Sequence, residues 1–225
     1  MRYLMSLGLA AMAAMVAMAF VGATSAMAEP EHPEIVICKK LELICEKSNQ
    51  APNPTEIHAE TLTGNPPKLL STIGTIECEH SLAILTLLNK LAKLIEGHLL
   101  ALNFTGNCHL GGTSCKVEVT KLGGLSFTPD LEKLKAIVHP ISLEGKVTEA
   151  SVKCGFLINC TYKADEKETE LLAESDEAGH LLLLSEAKLV RGSGFCPEES
   201  HWDATYHAVN LDAELSLQTG LWIEL

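Results

Sequence analysis

Eight cysteines follow an apolar N-terminal leader, and this combination constrains the fold more than any other feature of the sequence. An even number of cysteines in an exported chain indicates disulfide bonds, which form and persist in oxidising compartments. The cysteines are Cys38, Cys45, Cys78, Cys108, Cys115, Cys154, Cys160 and Cys196. We therefore expect an extracellular protein whose strands or loops are covalently cross-linked.

The start of the chain has the organisation of a signal peptide. Arg2 precedes an apolar stretch from Leu7 to Val21, and Ala26-Met27-Ala28 is the small-residue motif that signal peptidase cuts. We expect cleavage after Ala28, which leaves one secreted domain over residues 29–225. No later segment reaches the roughly 20 apolar residues of a membrane-spanning helix, so we expect no membrane span in the mature chain.

Negative charge dominates the mature chain. The full sequence has a net charge of −12, and removing the leader with Arg2 leaves 16 basic against 29 acidic residues, which gives −13. Such a surface repels phosphate backbones and anionic lipid. The basic pair Lys133 and Lys135 is balanced by the neighbouring Glu132. Nucleic acid is therefore not an expected partner.

Alternation with a period of two residues runs through much of the chain and predicts half-buried β-strands. It is clearest near the end of the chain, at Trp202, Ala204, Tyr206 and Ala208. Glycines between the alternating runs indicate turns. We predict an all-β chain that folds as a single β-sandwich or open β-barrel domain stapled by disulfides.

Two segments are harder to interpret. Residues 81–104 have leucines at helical spacing, so a short helix around 81–95 is the alternative to a hairpin that turns near 89–93. Gly97 and the alternation that follows it favour the hairpin. The charged stretch 165–177 is expected to be a solvated edge or loop, with Leu171-Leu172 turned inwards.

Three cysteine pairs are separated by only five or six residues. Because short loops close most readily, we expect the local pairs Cys38–Cys45, Cys108–Cys115 and Cys154–Cys160. Elimination then leaves Cys78–Cys196. The main rival pairing is Cys78–Cys154.

Four segments together resemble a known group of proteins: MRYLMSLGLAAMAAM, Cys154-x5-Cys160-Thr161-Tyr162, Phe195-Cys196-Pro197 and Trp202-x-Ala204-x-Tyr206. They resemble an uncharacterised family of exported, cysteine-rich proteins that occur as many paralogues in soil actinobacteria. The resemblance implies a compact, β-rich secreted domain and implies no activity. This chain differs from the family pattern at 81–102, where it is rich in leucine and its relatives are richer in Ser, Thr and Gly.

Neither metal binding nor nucleophilic catalysis has a clear motif in this sequence. Structural zinc sites usually bring cysteines in C-x2–4-C pairs, and the three close pairs here have wider spacing. A G-x-S-x-G nucleophile elbow is not found in the sequence. We therefore predict no catalytic, cofactor-binding or metal-binding residue, and no cofactor.

One turn is a candidate ligand site because carboxylates, an imidazole and an indole lie within six residues. Its members are Glu198, Glu199, His201, Trp202 and Asp203. Two carboxylates can hydrolyse a glycosidic bond, and carboxylates with carbonyl oxygens can bind calcium. The simpler interpretation is a polar turn before a strand whose Trp202 and Tyr206 face the core.

These patterns favour a secreted, disulfide-stabilised binding or surface-associated module that acts without catalysis on an unknown extracellular or envelope ligand. One alternative is a secreted, glycan-directed hydrolase that uses the carboxylates near 198–203. Another is a structural component of the cell envelope. Saturable binding without turnover would favour the module, and carboxylate-dependent activity on a polymer would favour the enzyme.

Overall fold

A computed structural model describes residues 34–37, 46–91, 94–130, 132, 135–175, 181–194, 196–210 and 221–224. Every helix or strand assigned in these ranges is a β-strand, which confirms the all-β prediction. The proposed signal peptide lies outside the described residues. The strands are β1 (Glu34–Ile37), β2 (Thr55–Thr61), β3 (Lys68–Ser71), β4 (Gly74–Leu91), β5 (Leu94–Leu110), β6 (Thr113–Lys121), β7 (Gly124–Asp130), β8 (Lys135–Ile141), β9 (Glu149–Cys154), β10 (Ile158–Ala164), β11 (Leu171–Ser175), β12 (Leu181–Gly194), β13 (Glu199–Asn210) and β14 (Leu221–Glu224).

Four long strands form the frame of the domain. β4 and β5 have 18 and 17 residues and pair with each other, and β12 and β13, with 14 and 12 residues, form a second antiparallel pair. Shorter strands fill the two gaps between these pairs. β1 and β14 form a separate two-stranded antiparallel sheet.

The shorter strands come in two sets, one towards each end of the long strands. β2 joins β4 to β13 through residues 82–87 of β4, whereas β3 joins the same two strands through residues 74–77. On the other side, β7, β8 and β11 connect β5 to β12 at one end, and β6, β9 and β10 connect them at the other. Two hydrogen-bonded rings of eight strands therefore share the four long strands.

We call the ring through β2, β7, β8 and β11 the first ring, and the ring through β3, β6, β9 and β10 the second ring. All pairings in both rings are antiparallel. The sequence predicted a sandwich or an open barrel, but hydrogen bonds close this sheet into a barrel. Every strand of each ring has a hydrogen-bonded neighbour on both sides, although β5 and β6 pair only over Cys108–Leu110 and Thr113–Cys115.

Each ring has its own apolar core. The first ring is filled by aliphatic side chains, including Ile57, Leu85, Ile95 and Val138, and by the aromatic side chains of Phe127 and Tyr206. The second ring is filled mainly by disulfides, together with Leu69, Ile76, Val152 and Tyr162. The Trp202 side chain packs against both cores. The barrel interior is therefore continuous from one ring to the other.

The leucine-rich segment forms a hairpin, so the alternative of a helix around 81–95 is wrong. β4 ends at Leu91 and β5 begins at Leu94, as the predicted turn near 89–93 requires. Cross-strand pairing with β2 and β5 outweighs the helical propensity of leucine here, since Leu85 and Leu87 are buried inside the barrel. Gly97 allows this packing, because a Cβ there would lie 3.1 Å from Leu87 Cδ2 and 3.2 Å from Phe127 Cε2.

The charged stretch 165–177 is only partly a loop. Its second half forms β11, which pairs with β8 on one side and β12 on the other. Ala173 in this strand is completely buried. Residues 171–175 are therefore a strand paired on both sides and not a solvated edge or loop, and the expected inward position of the leucine pair is confirmed for Leu171, which packs against the first core.

The disulfides bridge neighbouring strands and do not close local loops. Cys78 on β4 bonds to Cys108 on β5, and Cys115 on β6 bonds to Cys154 on β9. The third described disulfide is Cys160–Cys196. The predicted pairs Cys108–Cys115, Cys154–Cys160 and Cys78–Cys196 are therefore wrong. The predicted pair Cys38–Cys45 lies outside the described residues.

The error has a geometric cause, because four of the cysteines form one row across four strands. Cys108 is the register partner of both Cys78 and Cys115, and Cys115 is also the register partner of Cys154. In an antiparallel sheet a residue forms a close pair with one neighbour and a wider, hydrogen-bonded pair with the other. The bonded cysteines have Cα atoms 3.9 and 4.1 Å apart, so they occupy the close pairs.

The row predicts a specific disulfide map. Chymotrypsin digestion of the unreduced, denatured protein cuts after Leu110 and Phe156, which separates Cys108 from Cys115 and Cys154 from Cys160. Mass spectrometry should then find peptides joined through Cys78–Cys108, Cys115–Cys154 and Cys160–Cys196. Cleaved peptides that stay joined through Cys108–Cys115 would contradict the arrangement of the row.

Candidate functional site

An apolar cavity of about 160 Å³ lies inside the barrel. Its wall includes residues from the first ring, such as Leu85 and Val138, and residues from the second ring, such as Ile76 and Val152. Further bulky side chains in the wall are Leu69, Leu99, Leu102, Phe104, Leu125, Leu171, Leu183, Leu184 and Leu189. The space therefore lies where the two cores meet inside the barrel.

Small side chains leave the room for this cavity. Ala83 on β4, Ala150 on β9 and Ala187 on β12 all line it. A tightly packed barrel interior would need larger residues at such positions, because protein cores are normally filled to near crystal density. Alanine at inward positions of three strands thus produces a space that neighbouring side chains do not fill.

None of the residues that line the cavity carries a charged side chain. Polar groups in its wall are limited to the hydroxyls of threonine, serine and tyrosine and the indole nitrogen of Trp202. Two of the hydroxyls have partners in the protein: Thr169 donates to Lys188 O at 2.6 Å, and Thr148 accepts from the Gly123 N–H at 3.1 Å. The site is suited to an uncharged ligand.

An aromatic group with a hydrogen-bond network lies at one side of the cavity. The rings of Phe104 and Trp202 meet edge to face with centroids 4.9 Å apart. Trp202 Nε1 donates to the Tyr206 hydroxyl at 3.3 Å, and that hydroxyl is hydrogen-bonded to Ser81 Oγ at 3.0 Å. The Thr61 hydroxyl accepts from the Ser81 N–H at 2.9 Å, which links the network to β2.

Tyr206 is a neutral phenol in this environment. Burial inside the barrel raises the pKa of its hydroxyl, and the hydrogen bonds with Ser81 and Trp202 only partly oppose that shift. A phenol whose charged form is disfavoured by desolvation keeps its proton at physiological pH. The Tyr206 hydroxyl can therefore act as a hydrogen-bond donor inside the barrel.

Two hydroxyls in the wall have no recorded hydrogen bond with a described residue, those of Tyr162 on β10 and Ser185 on β12. The Ser185 side chain is beside the aromatic group: it faces inwards opposite Ala204, lines the cavity and belongs to a residue that is 7% exposed. No described residue forms a hydrogen bond with the Ser185 hydroxyl. Buried hydroxyls nearly always have a partner, so the Ser185 hydroxyl is available to a ligand in the cavity.

The structure divides the candidate ligand turn between the two faces of β13. Trp202 points into the barrel, as does Tyr206, so their predicted inward orientation is confirmed. Glu199, His201 and Asp203 alternate with Trp202 and therefore lie on the outer face. Neither these three residues nor Glu198 lines the cavity.

Both glutamates of the turn form ion pairs with basic side chains. Glu198 has a side chain that is 84% exposed and lies 3.3 Å from Arg191 Nη2. Glu199 lies 3.1 Å from Lys188 Nζ, which also contacts Glu168. The hydrogen bond to Glu168 raises the pKa of Lys188 most, and the hydrogen bond to Glu199 raises it further. The two glutamates therefore belong to surface ion pairs and not to one shared binding site.

A second notable feature is the tip of the β9–β10 hairpin. Phe156 and Leu157 are 93% and 78% exposed there, the highest values among the exposed large apolar residues. Cys154 and Cys160 flank the tip, and their disulfides to Cys115 and Cys196 fix both strands of the hairpin. Two large apolar side chains are thus held in solvent by a cross-linked support.

Sequence reasoning identified Trp202 and Tyr206 but not the rest of the cavity. Phe104 and Ser185 in the wall, and Ser81 in the adjoining hydrogen-bond network, were missed because they lie on three strands that are distant in sequence. The available signal was the alternation on β12, where Ser185 and Ala187 share a face with apolar neighbours. Only the register of β12 against β13 shows that this face lies opposite Ala204 and Trp202.

In the described part of the chain, no group of three or more His, Cys, Asp or Glu side chains could hold a metal ion. Within the same residues, no helix is long and apolar enough to cross a membrane.

Comparison with known proteins gives no relatives. No protein-family model, no curated protein and no solved structure matches this chain.

The orientation of β13 predicts which residues of the turn matter for stability. Trp202→Ala or Tyr206→Ala should lower the free energy of unfolding by about 3–5 kcal/mol, because each empties part of the barrel interior. Glu199→Gln and Asp203→Asn, on the outer face, should change it by about 0.5 kcal/mol or less. Urea unfolding of the four variants measures both effects. Equal losses for the inner and outer variants would contradict the inward orientation of the aromatic residues.

Proposed function

We propose that this protein is a secreted binding protein that holds a small, largely apolar molecule inside its barrel. The observation that carries the proposal is the uncharged cavity of about 160 Å³ at the junction of the two cores. An engineered apolar cavity of similar size, about 150 Å³, stays dry and binds benzene or xenon. A space of this size suits a ligand with roughly the bulk of a substituted benzene ring or a short alkyl chain.

Rigid walls support a binding role. The four long strands run past both ends of the cavity, and disulfides cross-link the second ring at three places among the described residues. A preformed pocket loses little conformational entropy when the ligand enters, which favours affinity. Without these cross-links, the walls could move inwards and fill the cavity.

Secretion is part of the same proposal. The leader that ends at Ala28 has the pattern of a signal peptide, and three disulfides among the described residues are consistent with an oxidising, extracellular location. The ligand would then be met outside the cell or in the envelope. A protein with a mature charge of −13 would remain soluble while its apolar ligand is enclosed.

The exposed hairpin tip favours a second candidate function, association with a surface. Phe156 and Leu157 expose a large apolar area at the cross-linked hairpin, and no charged residue lies between Cys154 and Cys160. The Phe156→Ser/Leu157→Ser double variant should be lost from the envelope fraction of the producing cells if the tip attaches the protein there. Unchanged fractionation of this variant would contradict attachment through the tip.

The glycan-directed hydrolase has less support as a proposal. Its acid and base would have to come from Glu198, Glu199 and Asp203, which lie outside the barrel, whereas Trp202 lies inside. The two glutamates are also held in ion pairs with Arg191 and Lys188. An enzyme of this class needs both carboxyl groups to flank one scissile bond.

Fluorescence offers a direct test of binding in the cavity, because Trp202 lines it and Trp222 is the other tryptophan of the chain. In a Trp222→Phe background, titration with benzene should change the Trp202 emission and saturate. Ala83→Leu, which places a larger side chain in the cavity, should weaken the apparent affinity for benzene at least tenfold. The matched control is Ala101→Leu on the outer face of β5, which should leave the affinity unchanged.

Thermal unfolding of each variant separates loss of the cavity from loss of the fold. The Ala83→Leu protein should still unfold cooperatively, and benzene should raise the melting temperature of the parent but not of this variant. A parent protein whose emission and melting temperature do not respond to benzene would contradict the proposal.

A further inference from the structure

We infer that the natural ligand carries one uncharged hydrogen-bond acceptor, such as a ketone, ester or ether oxygen, which the hydroxyl of Ser185 recognises inside the barrel. This inference rests on the proposed function, since it names the chemical class of the molecule that the cavity binds. It depends on three observations. One hydroxyl in the wall has no described partner, the hydroxyl pair of Tyr206 and Ser81 has one hydrogen without an acceptor, and the wall carries no charge.

The Ser185 hydroxyl is the first observation. The Ser185 residue is more than nine-tenths buried and lines the cavity, and no hydrogen bond between its hydroxyl and a described residue is recorded. Leaving a buried hydroxyl without a partner costs about 1–3 kcal/mol. A ligand oxygen that accepts this hydrogen would remove that penalty, whereas a pure hydrocarbon would leave it in place.

The hydrogen count of the Tyr206 network is the second observation. Trp202 Nε1 donates to the Tyr206 oxygen, and a single hydrogen bond joins that hydroxyl to Ser81 Oγ. Two hydroxyl hydrogens are available for this one bond, so one of them remains without an acceptor. No other hydrogen bond to either hydroxyl involves a described residue. This network therefore has one more hydroxyl hydrogen than its single hydroxyl–hydroxyl bond uses, and a ligand acceptor can take it.

The register of β12 against β13 places Ser185 on the same inner face of the barrel as Trp202 and Tyr206. Ser185 lies opposite Ala204, and the neighbouring inward residues on β13 are Trp202 and Tyr206. Ser185 is therefore the diagonal neighbour of both aromatic residues, at a distance that long side chains and a small ligand can span. A carbonyl oxygen beside Ser185 would place the rest of its molecule against the apolar walls.

The absence of charge in the wall is the third observation. The residues that line the cavity contribute neither a cation nor an anion. A carboxylate or an ammonium group would lose its hydration there without a compensating partner, which costs several kcal/mol. The raised pKa of the Tyr206 hydroxyl has the same origin in desolvation. The acceptor on the ligand must therefore be neutral.

Three probes with the same number of non-hydrogen atoms isolate this chemistry: isopropylbenzene, acetophenone and benzoate. They share a benzene ring and differ in offering no acceptor, a neutral carbonyl oxygen or an anionic carboxylate. In the Trp222→Phe background, acetophenone should bind about tenfold more tightly than isopropylbenzene, as one additional hydrogen bond allows. Benzoate should bind more weakly than either.

The Ser185→Ala variant tests which residue recognises the oxygen. Its affinity for isopropylbenzene should equal that of the parent, and the tenfold preference for acetophenone should disappear. The variant should fold normally, because the lost hydroxyl makes no hydrogen bond with a described residue. Ser151→Ala, which removes a hydroxyl from the outer face of β9, is the matched control and should keep the preference.

The outcomes separate this inference from the proposed function. Binding of isopropylbenzene without a preference for acetophenone would overturn the inference and leave the apolar binding site standing. A preference that persists in Ser185→Ala would overturn the assignment of Ser185. Failure of all three probes to bind would overturn the proposed function together with the inference.

Discussion

Closure of the sheet around four long strands is the constraint on which the rest of the structure depends. β4, β5, β12 and β13 run through both rings, so every shorter strand has a fixed partner on each side. The register of these pairs decides which residues face inwards, and a shift of one residue would exchange the inner and outer faces. The two cores, the row of cysteines and the cavity all follow from this one register.

The two rings keep their register by different means. The first ring is held by large aliphatic side chains that pack across its interior, with Leu85 and Phe127 fully buried. The second ring has fewer such side chains and is stabilised by disulfides between close pairs of neighbouring strands. Cross-links therefore replace part of the hydrophobic packing at this end. The cavity lies where one type of core gives way to the other, and Trp202 contacts both.

The class of the fold could be predicted from the sequence, but its pairing could not. Two-residue alternation around Trp202 and Tyr206 correctly predicted strands and inward aromatic residues, and Gly97 correctly favoured a hairpin over a helix. Alternation records only which face a residue occupies within its own strand. The partners of Cys108 depend on which strands lie on either side of it, and this information is spread over distant parts of the chain.

The candidate site was also hard to predict, because it too depends on which strands are neighbours. A cluster of charged residues near Trp202 was the strongest chemical signal in the sequence, yet the strand divides it between the outer and inner faces. The residues that form the cavity are mostly leucine, valine and alanine, which carry no chemical signature of a site. Ser185 becomes informative only when its burial and its missing partner are known. An unpartnered hydroxyl in an apolar wall is visible in a structure and invisible in a sequence.

The most direct test of the account is a crystal structure of the mature protein pressurised with xenon. Xenon binds apolar cavities of this size, and its position is visible as strong density. The account predicts a xenon atom inside the barrel, close to Trp202 and Leu85, at the junction of the two cores. A barrel interior filled by side chains or by a chain of ordered waters, with no xenon bound there, would contradict it.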